Sequence, residues 1–535
     1  MEESPLPHSG FRALRDAETY ITKIGGENAA DLRTNAEIVR RRSTEGKQQV
    51  LAISALRSEN STYNHYAHAS VADHDADGRR KSGFNTTSHL IAVAKALRAD
   101  DRERVFDLLG RVRDFTKDIV QTAIEQDPDL NRSQAIALLH TTIDRVMDAA
   151  GERLRSTGVQ PFAVGQDWIL QDFAGIFSIT GIGEELAKAI YSTYFRLKHI
   201  ATGELPVTGL ADSVLGDDPQ ALVEHEQESA EAVALLRSTV RSQLETLFHE
   251  NNTVIVAGGY LPLLGSQRGY SDKTGALLAQ ATKEAGHAAL YLIEKKSPIM
   301  SADPKKIPHA RVVPQMTYEL AMEAFGNQRG ADGKAVHPEA LRMLAEYDIP
   351  ALVLDPRNEA AGNITHIHYF DPPPNGVDMV ASRRMPIALE IESIRMLGNA
   401  GFVHDVTQWF IEQNPPISID QISTSEVTLS FTFSNGDFPA EKVAAFKEFL
   451  EQRFGPNPDL KLSVTRDKSL LFCMGNNMKK PGVARDATAA LTVANADIHF
   501  IAQGLNERVM TFMVDADKAP AALAALHEVC IERTS

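Results

Sequence analysis

The chain has 535 residues, 43% hydrophobic and 24% charged, with a formal net charge of −16. That length exceeds one ordinary core and calls for roughly two to four domains. The acidic balance argues against a nucleic-acid partner, which needs a clustered basic face, and no run approaches the roughly 18 consecutive apolar residues of a membrane span. Only two cysteines occur, Cys473 and Cys530. They exclude a disulfide framework and a cysteine-rich metal site, and read as inert core residues. Met1-Glu2-Glu3-Ser4-Pro5 lacks the regions of a signal peptide, so a cytoplasmic location is expected.

In chain order, Thr19 to Ile53 predicts a βαβ opening: an apolar run, a Gly-Gly turn, a helical stretch and the run Val50-Leu51-Ala52-Ile53. Residues 59 to 84 read as a polar loop. From Thr87 to His199 the pattern is helical, with apolar residues at Val105, Leu108, Leu109 and Val112 and again at Ile136, Leu139, Ile143 and Val146. A helix over roughly 219 to 249 leads to the strand Thr253-Val254-Ile255-Val256-Ala257. Strands and helices then alternate through Ala289-Leu290-Tyr291-Leu292-Ile293 and Ala351-Leu352-Val353-Leu354, which makes an α/β domain with an inserted helical layer. The proline cluster Asp371-Pro372-Pro373-Pro374 reads as a boundary. Beyond it, Ile387 to about Arg453 and Lys461 to about Arg533 repeat one α+β plan, of the kind that binds ligands or pairs with a copy of itself.

Leu264-Gly265-Ser266-Gln267-Arg268-Gly269-Tyr270-Ser271-Asp272 carries the most functional information. A glycine-rich turn running into a small-residue helix can bring backbone N–H groups and a helix N-terminus up to phosphate oxygens, while an Arg and an Asp handle a charged substrate. Phosphoryl transfer is the first chemistry it suggests. The 17 histidines show no ligand spacing of the His-Glu-X-X-His type. His337 before Pro338 reads as structural, His366 and His368 as surface residues of one strand face, and no structural metal is expected.

Lys23-Ile24-Gly25-Gly26 resembles the Lys-Phe-Gly-Gly signature of aspartokinases, within the amino-acid kinase family. Ser54-Ala55-Leu56-Arg57-Ser58 with Asn85-Thr86-Thr87-Ser88-His89-Leu90, Gly183-Glu184, Gly259-Tyr260, Arg268-Gly269-Tyr270-Ser271-Asp272, Ser301-Ala302-Asp303-Pro304-Lys305 and Gly333-Lys334-Ala335-Val336-His337-Pro338 continue that resemblance in order. Past the catalytic region, Ser423-Thr424-Ser425-Glu426-Val427 is similar to the signature of the regulatory ACT domain, and Gly475-Asn476-Asn477-Met478 and Ile501-Ala502-Gln503-Gly504 are similar to strands of a second one.

The resemblance implies an amino-acid kinase three-layer αβα sandwich with an inserted helical layer at 1–375, and two ferredoxin-like ACT domains at 386–460 and 461–535. It implies ATP and Mg2+ as cofactors, L-aspartate as substrate and 4-phospho-L-aspartate as product. Phosphorylating a carboxylate sets an anionic nucleophile against an anionic triphosphate, so the site must supply positive charge and positioning. Lys23 and Lys334 are therefore assigned to the phosphates, and Asp272 to holding the lysine and Mg2+. Arg268 would clamp the α-carboxylate, Glu184 would receive the α-ammonium, and Thr87 would hydrogen-bond the amino acid, with Gly259, Tyr260 and Ser271 completing the substrate site. Gly25, Gly26, Asp303 and Lys305 fall at nucleotide positions. Effector positions are Met396, Gly401, Phe402, Asp420, Ser425 and Glu426, with threonine slightly favoured over lysine, and ACT pairing implies at least a homodimer.

Four features depart from the family pattern: Glu27-Asn28 after the glycines, Lys295-Lys296-Ser297-Pro298 in place of an acidic turn, Lys305 in place of Arg, and an insertion over Asn327 to Asp332. They leave two alternatives beside aspartate kinase: a kinase for another amino-acid carboxylate, and an ACT-domain sensor that has lost turnover.

Overall fold

A computed structural model of the chain describes residues 10, 13–14, 16–68, 71, 82–155, 161–164, 167–172, 175–179, 181–205, 230–250, 253–259, 270–295, 297–326, 336–357, 359, 363–396, 401–413, 417, 419–433, 438, 442–455, 460–504 and 508–533. The chain forms two compact units. One comprises Met1–Ile299, Pro314–Tyr318 and Ala335–Tyr369, and the other Met300–Val313, Glu319–Lys334 and Phe370–Ser535. Among the described residues no helix is long and apolar enough to cross a membrane.

The first unit is built on eight strands: β1 (Thr19–Ile24), β2 (Gln48–Ile53), β3 (Thr202–Leu205), β4 (Val254–Gly258), β5 (Ala289–Glu294), β6 (Gln315–Met316), β7 (Ala351–Leu354) and β8 (Ile364–Ile367). Their order is β6-β8-β7-β5-β1-β2-β4-β3, and every pair is parallel except β7 with β8. Val50, Leu51, Ala52 and Ile53 are all fully buried, so both faces of the sheet's centre are covered, which is why its strands read as continuous apolar runs. Around it lie α1 (Leu32–Thr44), α2 (Thr86–Arg98), α3 (Arg102–Glu125), α4 (Arg132–Arg155), α5 (Ile182–Leu197), α6 (Ala230–His249), α7 (Tyr270–Glu284) and α8 (Pro338–Glu346). The expected helical layer is α2 to α5, with Val105, Leu108, Leu109, Val112, Leu139 and Ile143 in one core with β2 and β4.

Two expectations need correction. The stretch read as helical to His199 contains an antiparallel three-stranded sheet, Pro161–Val164, Asp167–Asp172 and Gly175–Ser178. The chain there pairs locally from Pro161 onward, a residue that cannot continue a helix. His366 is buried, not on the surface, and stacks on His368 at 3.9 Å between ring centroids. Burial drives its pKa down to about 3, which keeps the ring neutral. The N-terminal part of the helix expected from 219 lies outside the described residues; it is described from Ala230.

The second unit has one six-stranded antiparallel sheet. Its elements are β9 (Met379–Glu392), α9 (Phe402–Ile411), β10 (Ile419–Thr424), β11 (Thr428–Phe433), α10 (Lys442–Phe454), β12 (Lys461–Met474), α11 (Val483–Val493), β13 (Phe500–Gln503), β14 (Val509–Asp515) and α12 (Ala519–His527). The strand order is β10-β11-β9-β12-β14-β13. β9 and β12 run the full length of both halves: Met379 to Met385 pair with Met474 to Lys468, and Ile387 to Glu392 with Arg466 to Lys461. Each half buries its own core, one around Ile391, Phe410, Phe431 and Phe446, the other around Val380, Leu471, Phe512 and Leu526. Ladder pairing skips Pro386, which has no N–H to donate, opposite Asp467 at φ +55°.

Arg42 on α1 is 1% exposed and donates to Glu294 at the end of β5, 3.0 Å away, and to Glu359. Burial raises the Glu294 carboxyl above its usual range, against the pull of Arg42. Arg42→Met would leave that acid in a closed interior without its partner, and should cost about 3–5 kcal/mol in chemical denaturation. An unchanged denaturation midpoint would show that the pair contributes nothing to the fold.

Candidate active site

In a parallel α/β sheet, ligands bind outside the carboxyl ends of the strands, and the predicted catalytic residues of this chain fall there. Lys23 is the fifth residue of β1, flanked in register by Ala52 of β2 and Ile293 of β5. Its Nζ lies 3.0 Å from Asp272 Oδ1, in the first turn of α7. Asp272 Oδ2 accepts the His337 backbone N–H at 2.9 Å, so both carboxylate oxygens are engaged. The Tyr291 hydroxyl donates to the Asp272 carbonyl at 3.2 Å, fixing the start of α7 against β5. An added Cβ on Gly275 would sit 2.6 Å from that hydroxyl, so the small-residue helix is needed for this approach.

Burial pushes the Asp272 carboxyl up, but Lys23, Lys295, the Lys23 hydrogen bond and the His337 N–H together hold it below the usual range. Asp272 is therefore ionised and acts as a fixed counter-charge for Lys23. Lys295, which follows β5 and replaces an acidic turn, adds a second positive charge felt by Asp272.

The neighbouring ends of β2 and β4 are assembled with α2, α5 and α7 by close backbone approaches. A Cβ on Gly183 would lie 2.7 Å from Ala55 Cβ and 3.1 Å from Thr86 Cγ2, so glycine lets α5 begin against the strand-end loop and the start of α2. Its neighbour Glu184 backs onto Gly258 at the end of β4. Gly259 donates to the Ile53 carbonyl at 2.8 Å, and its missing Cβ leaves room for Ser271, whose Cβ would be 2.8 Å away. Asn85 caps α2 through Ser88 N–H, leaving Thr87 half-buried in the first turn. Among the described residues the adjacent Thr86 hydroxyl is buried with no hydrogen-bond partner, a feature the sequence reading passed over.

Lys23, Gly25, Asp272, Ser271, Gly259, Glu184 and Thr87 thus all belong to the first unit, and Gly25 comes within 3.7 Å of Lys23 Nζ at its Cβ position. The Gly26 backbone opens a single helical turn, Gly26–Ala29. Tyr260, Arg268 and Lys334 lie outside the described residues. Asp303 and Lys305 belong to the second unit, on an exposed turn in which Asp303 Oδ1 accepts the Lys305 N–H at 2.9 Å.

The predicted effector positions lie in the half built around Phe410. Met396 and Phe402 are core residues there, and Gly401 precedes α9. Ser425 folds the β10–β11 turn, its hydroxyl 2.6 Å from Thr428 Oγ1, and Glu426 beside it is exposed. The Val427 carbonyl accepts from Ser393 N–H at 2.8 Å and Ser393 accepts from Met396 N–H at 3.2 Å, which brings the Met396 turn to the Ser425 turn. Asp420 lies on β10.

The amino acid kinase family matches residues 18–355, and an ACT domain matches residues 472–529. A curated relative, the chloroplastic Aspartokinase 2 of Arabidopsis thaliana, is 26% identical over 318 residues, 56% of this chain and 55% of the relative. The chain spans about half the length of the curated relatives it matches. Among solved structures, E. coli aspartokinase III in complex with lysine and aspartate superposes with a TM-score of 0.62 at 20% identity, over 96% of this chain and 100% of that one. The same enzyme with aspartate and ADP gives 0.59 at 20% identity, over 95% and 99%. At that identity the likeness shows the fold.

His89, one turn into α2, tests how firmly this corner is held. Its Nε2 accepts from His68 N–H at 3.1 Å and its Nδ1–H donates to the Asn85 carbonyl at 2.9 Å. Burial, against the Asn85 hydrogen bond, lowers its pKa from 6.5 to about 4. Between those values the unfolded chain takes up a proton that the folded one refuses, so stability falls as pH falls through that window, by about 2 kcal/mol at pH 5. His89→Gln should lose less stability than the parent between pH 7 and pH 5 in paired denaturation curves. Equal losses would mean that His89 is not the buried neutral group.

Proposed function

This chain belongs to the amino acid kinase family, and we propose that it is an ATP-dependent aspartate kinase. It would transfer the γ-phosphate to the side-chain carboxylate of L-aspartate, giving 4-phospho-L-aspartate, the opening step toward aspartate-derived amino acids. The observation that carries this reading is Lys23 fixed 3.0 Å from an ionised Asp272 at the sheet's carboxyl end. A lysine held that way presents its ammonium without a search through rotamers, so positive charge is in place when the two anions meet.

Each residue then has a distinct task. Lys23 neutralises the transferring phosphoryl group, and Lys295 adds charge at the same edge. Glu184 receives the substrate ammonium, with Thr87 hydrogen-bonding the bound amino acid, Ser271 and Gly259 shaping the floor, and Tyr260 beside it. Arg268 clamps the α-carboxylate and Lys334 is the second phosphate cation. Gly25 and Gly26 allow backbone approach to phosphate, and Asp303 and Lys305 are assigned to nucleotide binding on the family resemblance alone. Because both Asp272 oxygens are already engaged by Lys23 and His337 N–H, magnesium fits best as part of the substrate, MgATP, held by phosphate oxygens and water. The nucleotide reading gains support from the ADP complex of E. coli aspartokinase III.

We assign the catalytic domain to 1–375 and ACT domains to 386–460 and 461–535, with Met379–Met385 supplying a strand to the second module. An aspartate-derived amino acid, threonine or lysine, is the effector proposed for the Met396–Ser425 region; the lysine-bound neighbour favours lysine. Ile422 on edge strand β10 and Ile501 on edge strand β13 are 46% and 50% exposed, which supports a homodimer formed through these modules.

Hydroxylamine trapping with MgATP and L-aspartate should yield the hydroxamate, and Lys23→Met and Asp272→Ala should each reduce its rate by about 10²–10³-fold or more. Product from another amino acid alone would shift the assignment to that substrate. Nucleotide binding with no product from any amino acid would leave an ACT-domain sensor.

A further inference from the structure

Within the second unit, three side chains from two separate stretches of chain converge on one point that plays no part in the proposed kinase chemistry. Glu532 Oε1 lies 2.7 Å from His309 Nε2 and 3.0 Å from His527 Nδ1. The ligand-capable atoms of the three residues all fall within 4.8 Å of one another, and the two imidazole planes stand at 70° with centroids 5.3 Å apart. We propose that His309, His527 and Glu532 form a binding site for a divalent transition metal of the zinc class.

The donor set selects the ion. Two imidazoles and one carboxylate suit Zn2+, Co2+ or Ni2+, whereas Mg2+ and Ca2+ prefer all-oxygen sites. The outer side is open, since His309 and Glu532 are 63% and 39% exposed in their side chains, leaving positions for water. The inner side is fixed. His527 is 1% exposed, and its other nitrogen, Nε2, lies 2.8 Å from the Ser301 hydroxyl. Ser301 Oγ also accepts the Arg311 N–H at 3.0 Å, and the Arg311 side chain donates to the Ile531 carbonyl. This is the outer-shell support that orients a metal-bound imidazole, with the ring's second nitrogen anchored so that the first faces the ion.

Proton placement is consistent with that use. Without metal, His527 Nδ1–H and His309 Nε2–H both donate to the one carboxylate oxygen. With metal, each imidazole turns its lone pair to the ion; His527 then carries its proton on Nε2, where the Ser301 hydroxyl can accept it. A neutral tautomer change therefore prepares the buried ligand. Bound metal would tie the 301–311 segment, which carries Asp303 and Lys305, to the C-terminal turn Glu528–Glu532. No His-X-X-X-His type of spacing announces the site, because His309 comes from the start of the unit's chain and His527 and Glu532 from its end.

The test uses the full chain, stripped with chelator and dialysed. Co2+ is titrated by visible absorption and then displaced by Zn2+, with His309→Ala and Glu532→Gln alongside; both positions are exposed enough to spare the core. One saturable equivalent that Zn2+ displaces, weakened at least about tenfold in each variant, is the expected result. Absence of saturable binding, or binding unchanged in both variants, would overturn the proposal and assign any bound ion to other histidines.

Discussion

The first unit depends on one electrostatic constraint: a lysine and a carboxylate must stay charged and in contact at the end of a buried sheet. Burial alone would neutralise Asp272, so it has to be offset, and Lys23, Lys295 and the His337 N–H do so from three directions. The surrounding backbone then follows. β1 must carry Lys23 next to its last residue, α7 must open at Tyr270, and α8 must begin after His337, whose own ring accepts the Glu339 N–H as a helix cap. Removing the carboxylate would free the lysine and leave a backbone donor without its acceptor, a loss that an apolar side chain could not make good.

The neighbouring glycines serve that constraint through distance. Gly183 and Gly259 occur where helices start against strand ends, and a Cβ at either would meet atoms under 3.0 Å away. These contacts bring Glu184, Ser271 and the start of α2 into one unit with Lys23, since side chains of ordinary size could not reach a common point across wider backbone gaps. The same economy appears in the second unit, where two cores share two long strands and the ladder skips at Pro386.

Much of this was legible in the sequence because charged residues at glycine turns are rare and ordered. Asp272 is readable from its glycine-rich turn, Lys23, Gly183 and Gly259 through the resemblance of their motifs to those of the family, and the buried strands from unbroken apolar runs. What stayed hidden is instructive. The His337 contribution is a backbone N–H and has no residue signature. Thr86 stands beside Thr87, and only three-dimensional packing against Gly183 separates them. His366 sits on a four-residue strand whose alternation reads the same whether one face or both are covered. The shared strands of the second unit look like single strands, since a 14-residue run says nothing about a change of partner at its middle. Lys295 was visible only as a departure; its meaning came from its field at Asp272.

The segment after Lys295 raises the question of how regulation could reach the nucleotide. Ala302 and Ile307 are buried in the same core as Val380, Leu471 and Leu526, and the Val380 N–H donates to the Ser301 carbonyl at 2.8 Å. Lys306 Nζ reaches the Ser382 hydroxyl at 3.0 Å. Asp303 and Lys305 therefore ride on a turn that is stapled to β9, one of the two strands common to both halves. Asp303 and Lys305, assigned to nucleotide by the family resemblance, thus share one packed body with the proposed effector positions. Any effector that repacks the half around Met396 would change the free energy of the turn through β9 itself, and linkage requires nucleotide to change effector affinity by the same factor. The coupling would be carried by a continuous strand with a break in its ladder at Pro386, an element able to adjust its two ends separately.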